Sequence, residues 1–335
     1  MTKEALIGIH HVTAITSDAK KIYDFFTRVL GLRLVKKNVN QDDLQTYHLY
    51  FADDRGNPGT DMTFFDFSGI SSHLRGTNDI LRTSFRVSSD KALQYWVDRL
   101  DRYEVKHDNL KEEFGRQVLY FEDFDQQRYA FISDEGGSVG VPAGEPWHDG
   151  PVPDEFAIVG LGPVYLSVDR PEFMSAILTD IMGFKAVATE NDLTRFETGD
   201  GGNGASVIMV AAEQATVAQQ GYGGVHHVAF RVADKAQLAS WKAFFDSHNW
   251  PHSGLVERYY FESLYFRFYP NILFELATDG PGFIDDEESY EELGQKLTLP
   301  PHLRHYRQKI EEDLKPFDSI WTTSEKEYLG HEIDW

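Results

Sequence analysis

A four-fold internal repeat is the feature that most constrains how this chain can fold. Each copy has a short β-rich strand, an Asp-containing turn, an amphipathic helix and then further strands; the opening strands are predicted at residues 8–16, 82–87, 163–168 and 225–232. One such unit makes a small curved sheet that cannot close on itself, so units must pair edge to edge. We therefore predict an α+β fold of four βαβββ modules paired into two open curved-sheet barrels.

The domain organisation follows from the same repeat. The length of 335 residues agrees with two domains of roughly 150 residues each. We place two modules at about residues 7–68 and 80–136 within residues 1–140, and two more at about 160–212 and 224–280 within residues 156–282. A Gly- and Pro-rich linker at 141–155 separates these halves, and residues 283–335 form a C-terminal arm. Residues 302–314 are predicted to be a helix that closes a packed arm rather than a catalytic lid.

Composition excludes several classes of function. The chain has no cysteine, so any metal must be held by His, Asp, Glu or backbone oxygen. Its formal net charge of −22 opposes binding to nucleic acid or to anionic membranes. The N-terminus lacks the pattern of a signal peptide, and no apolar run reaches the roughly 18 residues of a membrane span. We therefore expect a cytoplasmic protein.

Two histidine pairs and one carboxylate predict a metal site. His10-His11 and His226-His227 stand at equivalent places at the start of modules one and four. Adjacent side chains of a regular strand point to opposite faces, so one histidine of each pair faces the cavity unless the strand is bulged. Glu275 stands in an otherwise apolar strand, where a carboxylate is costly unless it is paired or binds a cation. Two His and one carboxylate are the facial triad of non-haem Fe(II) oxygenases.

The chain resembles the vicinal oxygen chelate superfamily of glyoxalases, bleomycin-resistance proteins and extradiol dioxygenases, and within it the hydroquinone ring-cleaving dioxygenases. The motifs that carry the resemblance run from end to end of the chain: GIHHVTAIT (8–16), YHLYFADDRGNPGTDMTFF (47–65), VHHVAFRVAD (225–234), RYYFESLYFR (258–267), LFELATDGPGF (273–283) and LGQKLTLPP (293–301). The resemblance implies cleavage of a small aromatic substrate by O₂ at an Fe(II) site, with Mn(II) as the other metal that such ligands accept.

The resemblance also implies roles for single residues. The second histidine of each pair is then the ligand, so that the metal set is His11, His227 and Glu275. The substrate pocket and the catalytic groups are then contributed by Thr13, His226, Arg258 and Tyr265, together with His10. Without the resemblance, Arg258 could form a surface ion pair and Tyr265 could belong to the core. His48 lies in a strand whose orientation is not predicted, and it is assigned no role.

The ligands predict which modules pair. Because the metal set comes from modules one and four, these two must share one cavity, which leaves module two to pair with module three. Two alternatives to the dioxygenase stay open. A glyoxalase-like isomerase or metal-dependent thiol transferase would want a further protein ligand, and a non-catalytic aromatic- or drug-binding protein would need no metal. The oligomeric state is left open, with a homo-oligomer among the options.

Overall fold

The computed structural model describes residues 4–137, 140–284 and 287–321. Module one comprises β1 Ile9–Ile15, α1 Ala19–Asp24 with a π-helical turn at Phe25–Val29, β2 Arg33–Asn40, β3 Asp43–Ala52 and β4 Asp61–Phe65. Module two comprises β5 Asp79–Val87, α2 Asp90–Arg102, β6 Lys111–Glu113, β7 Arg116–Glu122 and β8 Arg128–Ser133. Both modules have the predicted order of one strand, one helix and three strands.

The second half of the chain repeats this order. Module three comprises β9 Ile158–Val168, α3 Pro171–Ala176 with a π-helical turn at Ile177–Ile181, β10 Lys185–Glu190, β11 Leu193–Glu197 and β12 Ser206–Ala211. Module four comprises β13 Gly224–Val232, α4 Lys235–Ser247, β14 Leu255–Glu257, β15 Glu262–Tyr269 and β16 Ile272–Thr278. The predicted α+β architecture is confirmed.

The strands form two eight-stranded sheets, each made from two modules. Sheet 1 has the order β14-β15-β16-β13-β1-β4-β3-β2 and joins modules four and one; sheet 2 has the order β10-β11-β12-β9-β5-β8-β7-β6 and joins modules three and two. The predicted pairing of module one with four and of two with three is thereby confirmed. Each sheet takes strands from both halves of the chain. The division into domains at residues 1–140, 141–155 and 156–282 therefore remains a prediction.

Side-chain caps start three of the helices. Asp18 accepts hydrogen bonds from the backbone N–H groups of the first turn of α1, and Ser89 and Asp234 do the same for α2 and α4. These caps satisfy backbone donors that a helix start leaves unpaired. Each helix then packs an apolar stripe on the outer face of its sheet, as Leu93 and Trp96 of α2 do, and both side chains are fully buried.

The C-terminal arm packs against β2, one of the two edge strands of sheet 1. The Lys36 ammonium lies 2.7 Å from the Glu288 carboxylate, and neither side chain is exposed to solvent. The predicted helix at 302–314 is only partly right, because Pro301–Tyr306 is a 3₁₀ helix and only Arg307–Asp313 is α-helical. Residues 285–286 and 322–335 of the predicted arm lie outside the described residues. Across the part of the chain that the structure describes, every helix is too short or too polar to cross a bilayer.

Candidate metal centre and its pocket

Three buried side chains meet at the middle of sheet 1. Strand β13 lies between β1 and β16, which brings both histidine pairs and Glu275 together. The His11 Nε2 and His227 Nε2 atoms are 3.2 Å apart. The Glu275 Oε2 atom lies 3.2 Å from the first and 2.9 Å from the second. The two histidines and the glutamate thus converge through one atom each, as binding of a single metal ion would require.

Two β-bulges explain how both rings of each histidine pair reach this place. In the β1–β13 ladder, Ile9 pairs with Phe230 and His11 with Ala229, so His10 is the extra residue of the first bulge. Further along, Thr13 pairs with His227 and the next residue, Ala14, pairs with Val225, so His226 is the extra residue of the second bulge. A bulge re-aims side chains that regular alternation would send to opposite faces. The His10 and His11 rings consequently contact each other, and so do those of His226 and His227.

The electrostatics of the centre favour an ionised Glu275 carboxylate and neutral rings at His10, His226 and His227. Burial alone would raise the pKa of Glu275, but the neighbouring His11 and His227 outweigh it and hold that pKa well below its usual range. Burial lowers the pKa of His227. The same cause lowers the pKa of His10 and that of His226 to about 3. These three rings are therefore uncharged at neutral pH, and each can offer a nitrogen lone pair.

The donor set fits a divalent cation. The side chain of Glu275 is wholly buried, and neither of its oxygens makes a hydrogen bond of good geometry within the described residues. An unsatisfied buried carboxylate is costly, and a cation removes that cost. Ligand atoms that bind one ion at about 2.1 Å and at right angles lie about 3.0 Å apart. The three separations of 2.9 to 3.2 Å therefore match one face of an octahedron.

A pocket of about 390 Å³ opens beside this centre. Its lining combines aromatic and polar side chains: Asn40, Gln41, Asp42, Asp43, His48, Tyr50, Phe65, Phe67, His226, His227, Arg258, Tyr265 and Leu273. His227 belongs both to the triad and to this lining, so a molecule in the pocket lies next to the candidate metal position. The volume is within the usual range for small-molecule sites.

Arg258 and Tyr265 form one polar wall of the pocket. The guanidinium Nε donates to the Tyr265 hydroxyl at 3.3 Å, and a terminal nitrogen lies 3.0 Å from the Asp42 carboxylate. Burial raises the pKa of Tyr265, with Glu275 adding to the effect, so the phenol keeps its proton. Burial would lower the pKa of Arg258, but Tyr265 and Asp42 outweigh it and raise that pKa. The wall offers a fixed positive charge and a protonated hydroxyl.

His48 and Tyr50 are pocket residues to which the sequence argument assigned no role. The Tyr50 hydroxyl lies 2.8 Å from His48 Nδ1, and His48 Nε2 lies 3.0 Å from Thr63 Oγ1. Burial lowers the pKa of His48 well below its usual value, so the ring is neutral. The orientation of His48 could have been predicted from the alternation of side chains along β3. Leu49 and Phe51 belong to the core on the helix side of the sheet, so His48 and Tyr50 must face the other side.

Thr13 and His10, both predicted to line the pocket, lie behind its surface. The Thr13 hydroxyl is 3.0 Å from His227 Nε2 and 2.7 Å from the Thr63 hydroxyl, so it joins the triad to the His48 network. His10 is 2% exposed and packs against His11 and Phe261. The structure thus brings all eight predicted site residues into one neighbourhood, of which four line the pocket: His226, His227, Arg258 and Tyr265. The roles of all eight remain predictions.

Comparisons with known proteins agree with this geometry. The family model described as "Glyoxalase/Bleomycin resistance protein/Dioxygenase superfamily" matches residues 8–138. A Bacillus subtilis protein with the provisional name ring-cleaving dioxygenase MhqA is 44% identical over 314 residues, which cover 92% of this chain and 98% of that protein. The chlorohydroquinone/hydroquinone 1,2-dioxygenase of Sphingobium indicum is 32% identical over 317 residues, which cover 92% of this chain and 95% of that enzyme.

A solved structure extends the agreement to three dimensions. The crystal structure of a protein from Bacillus subtilis, provisionally described as a dioxygenase, superimposes with a TM-score of 0.86 at 35% identity and covers 95% of this chain and 99% of that one. The two relatives and the solved structure thus match this chain over nearly their whole length. The chain therefore belongs to the glyoxalase/bleomycin resistance protein/dioxygenase superfamily.

Proposed function

We propose that the protein is an Fe(II)-dependent ring-cleaving dioxygenase that opens a hydroquinone-type aromatic ring with O₂, with Mn(II) as the alternative metal. The observation that carries the proposal is the set of three convergent ligand atoms beside an aromatic-lined pocket. The names of the relatives, a ring-cleaving dioxygenase and a hydroquinone 1,2-dioxygenase, support the same reaction.

The metal would be held by His11, His227 and Glu275. Such a set occupies one face of the ion and leaves other positions for substrate and O₂. When bound, the ion supplies Lewis acidity toward a phenolic hydroxyl and exchanges electrons with O₂. The protein's own contribution is to hold the aromatic ring and O₂ close together in a fixed orientation.

The pocket side chains suit the remaining tasks of the reaction. Phe65 and Phe67 offer aromatic surface against which a substrate ring can stack. Arg258 provides a fixed positive charge toward an oxygen substituent whose negative charge grows during reaction. Tyr265 keeps its proton and can donate a hydrogen bond to an oxygen of the substrate.

The alternatives on the same scaffold are less well supported. A glyoxalase-like isomerase or thiol transferase wants a further carboxylate or histidine, and the group formed by the described residues has three members, His11, His227 and Glu275. A non-catalytic aromatic-binding protein gains nothing from two histidines and a buried carboxylate whose ligand atoms converge on one point. The donor set therefore favours a metal-dependent oxygenase.

The experiment that tests the proposal measures O₂ uptake. The purified protein is loaded anaerobically with Fe(II), and in parallel with Mn(II), then mixed with hydroquinone or a ring-substituted hydroquinone in air-saturated buffer. We expect one O₂ consumed per substrate and a product heavier by the mass of one O₂, with both atoms labelled when ¹⁸O₂ is used. Absence of O₂ uptake with every dihydroxybenzene and both metals would disprove the dioxygenase assignment. Catechol serves as the substrate control for the hydroquinone preference.

A further inference from the structure

Each histidine pair is joined by a hydrogen bond between two ring nitrogens. The Nδ1 atoms of His10 and His11 are 2.9 Å apart, and those of His226 and His227 are 2.8 Å apart. In such a bond one nitrogen carries the hydrogen and the other is bare. A neutral imidazole has only one N–H, so the direction of the bond decides which nitrogen is left to bind a metal.

The far nitrogen of His10 fixes the direction in the first pair. His10 Nε2 lies 3.1 Å from the backbone carbonyl oxygen of Thr278, and a carbonyl can only accept, so Nε2 carries the hydrogen. The ring is almost wholly buried, and no carboxylate is among its described hydrogen-bond partners, so a second proton would leave a buried unpaired charge. His10 Nδ1 is therefore bare and accepts from His11 Nδ1–H. The His11 Nε2 atom, which faces Glu275, is then bare as a metal ligand must be.

The second pair has the same Nδ1–Nδ1 hydrogen bond, but the far nitrogen of His226 faces the pocket instead of a backbone carbonyl. For His227 to offer a bare Nε2 to the centre, its Nδ1–H must donate to His226 Nδ1. The remaining hydrogen of His226 then sits on Nε2. Among the described residues this nitrogen has no hydrogen-bond partner, and the ring lines the pocket. His10 Nε2 therefore donates to the Thr278 carbonyl, whereas His226 Nε2 is available to a molecule in the pocket.

We propose that the first histidine of each pair sets the tautomer of the ligand histidine beside it. His10 is then a positioning residue that never touches substrate, and His226 is both a positioning residue and a hydrogen-bond donor to a substrate or O₂ oxygen in the pocket. The two bulges of the β1–β13 ladder are the structural device that makes this possible. The inference rests on the metal-binding part of the proposed function and is independent of ring cleavage.

The tautomers can be observed directly in protein loaded with a diamagnetic divalent ion such as Zn(II), because the argument for His226 and His227 holds only while an ion occupies the centre. Nitrogen-15 NMR of protein labelled at histidine distinguishes Nδ1–H from Nε2–H rings, with assignment by single His→Gln variants. We expect His10 and His226 as Nε2–H tautomers, and His11 and His227 as Nδ1–H tautomers. Observation of His10 or His226 as the Nδ1–H tautomer would overturn the proposal, whether or not the enzyme cleaves any ring.

A matched pair of substitutions tests the consequence for metal binding. His10→Asn keeps an acceptor near the position of Nδ1, whereas His10→Leu has nearly the same shape as asparagine and no acceptor. Loss of a partner behind a ligand histidine typically costs 10–100-fold in metal affinity. We therefore expect His10→Leu to weaken Mn(II) affinity by about 10–100-fold, and His10→Asn to recover most of that loss. Affinity is measured by calorimetric titration of the metal-free proteins.

The controls separate positioning from general destabilisation. His148→Leu removes an exposed histidine that lies opposite Asp154, far from β1 in sequence, and should leave the metal affinity unchanged. Thermal unfolding is recorded for all variants, because a purely structural role would lower the Tm of the Leu and Asn variants without separating their affinities. Equal affinities for His10→Leu and His10→Asn would overturn the positioning role.

Discussion

The two sheets are built from the same elements, yet they treat a buried carboxylate in opposite ways. In sheet 1, Glu275 faces two histidines, and within the described residues its oxygens make no hydrogen bond of good geometry. In sheet 2, Glu113 accepts hydrogen bonds from the hydroxyls of Tyr120 and Tyr165 and lies 2.7 Å from the Lys111 ammonium. Where sheet 1 carries histidine pairs, sheet 2 has Thr83-Ser84 and Gly162-Pro163.

The difference shows what makes a buried charge useful. Three donors already satisfy Glu113, and they outweigh its burial so that its pKa is lowered. A satisfied carboxylate stabilises the fold and has no capacity left for an ion. Glu275 has two imidazole nitrogens beside it and, among the described residues, no hydroxyl or ammonium donor, so it can bind a cation together with them. One scaffold thus holds a structural carboxylate in one sheet and a candidate ligand in the other.

The largest expected effect comes from breaking the triad itself. Glu275→Gln removes the negative charge but keeps the shape, and we expect metal affinity to fall by more than the roughly 100-fold loss of an outer partner. Activity should fall to the level of the metal-free protein. Metal content after dialysis and O₂ uptake are the measurements. Glu113→Gln is the matched control in sheet 2, and an equal loss of metal in both variants would contradict the assignment of Glu275.

A smaller effect is expected from the phenol of the pocket. Tyr265→Phe deletes a protonated hydroxyl beside Arg258, and kcat/KM for the hydroquinone should fall by on the order of 10²-fold. Metal content should stay unchanged, because Tyr265 is not among the ligands. Tyr120→Phe in sheet 2 is the control and should keep full activity. A Tyr265→Phe enzyme as active as the unmodified protein would remove the phenol from the mechanism.

The carboxylate of sheet 2 should affect stability alone. Glu113→Gln replaces an acceptor by an amide that faces Lys111, and we expect the free energy of unfolding at pH 7 to fall by about 1–3 kcal/mol. Because the folded-state pKa of Glu113 is lowered, its stabilisation is present above the unfolded pKa and disappears as the pH falls through the folded one. Urea unfolding at neutral and acid pH measures the difference. A penalty that is independent of pH would contradict a charge-based role.

A further contrast between the sheets, seen only in the pH dependence of stability, concerns the aspartate that follows the last strand of modules one and two. Asp134 is paired with Arg86 at 2.8 Å, whereas Asp66 accepts the backbone N–H of Tyr47, and burial raises its pKa to about 7. Asp66 is thus protonated in the folded protein at acid pH. As the pH rises from 4 to 7, the free energy of unfolding should therefore decrease by up to about 1.4 kcal/mol per pH unit.

The Asp66→Asn variant should lose this part of the pH dependence. Its stability, measured by urea unfolding between pH 4 and 8, should change less with pH than that of the unmodified protein, and it should gain most at pH 8. Glu112→Gln, which alters an exposed carboxylate of β6, is the control and should leave the slope unchanged. An unchanged slope in Asp66→Asn would place the proton uptake elsewhere.

Much of this organisation was predictable because it depends on patterns repeated along the chain. The histidine pairs mark modules one and four as partners, and the isolated carboxylate at Glu275 marks the third ligand. The orientation of His48 was also within reach from the alternation along β3. The bulges at His10 and His226 were not, because a one-residue insertion in a ladder depends on the register of the partner strand.

The sequence by itself determined the repeat, the ligand types and the absence of thiol chemistry, since these depend only on which residues occur and in what order. Tertiary structure alone decided that the three ligand atoms stand about 3 Å apart and that a pocket opens at His227. It also decided that His10 turns away from the pocket to meet the Thr278 carbonyl. The physical reason is that these outcomes depend on contacts between residues more than 200 positions apart, which are set by how the sheet curves and how its strands are aligned.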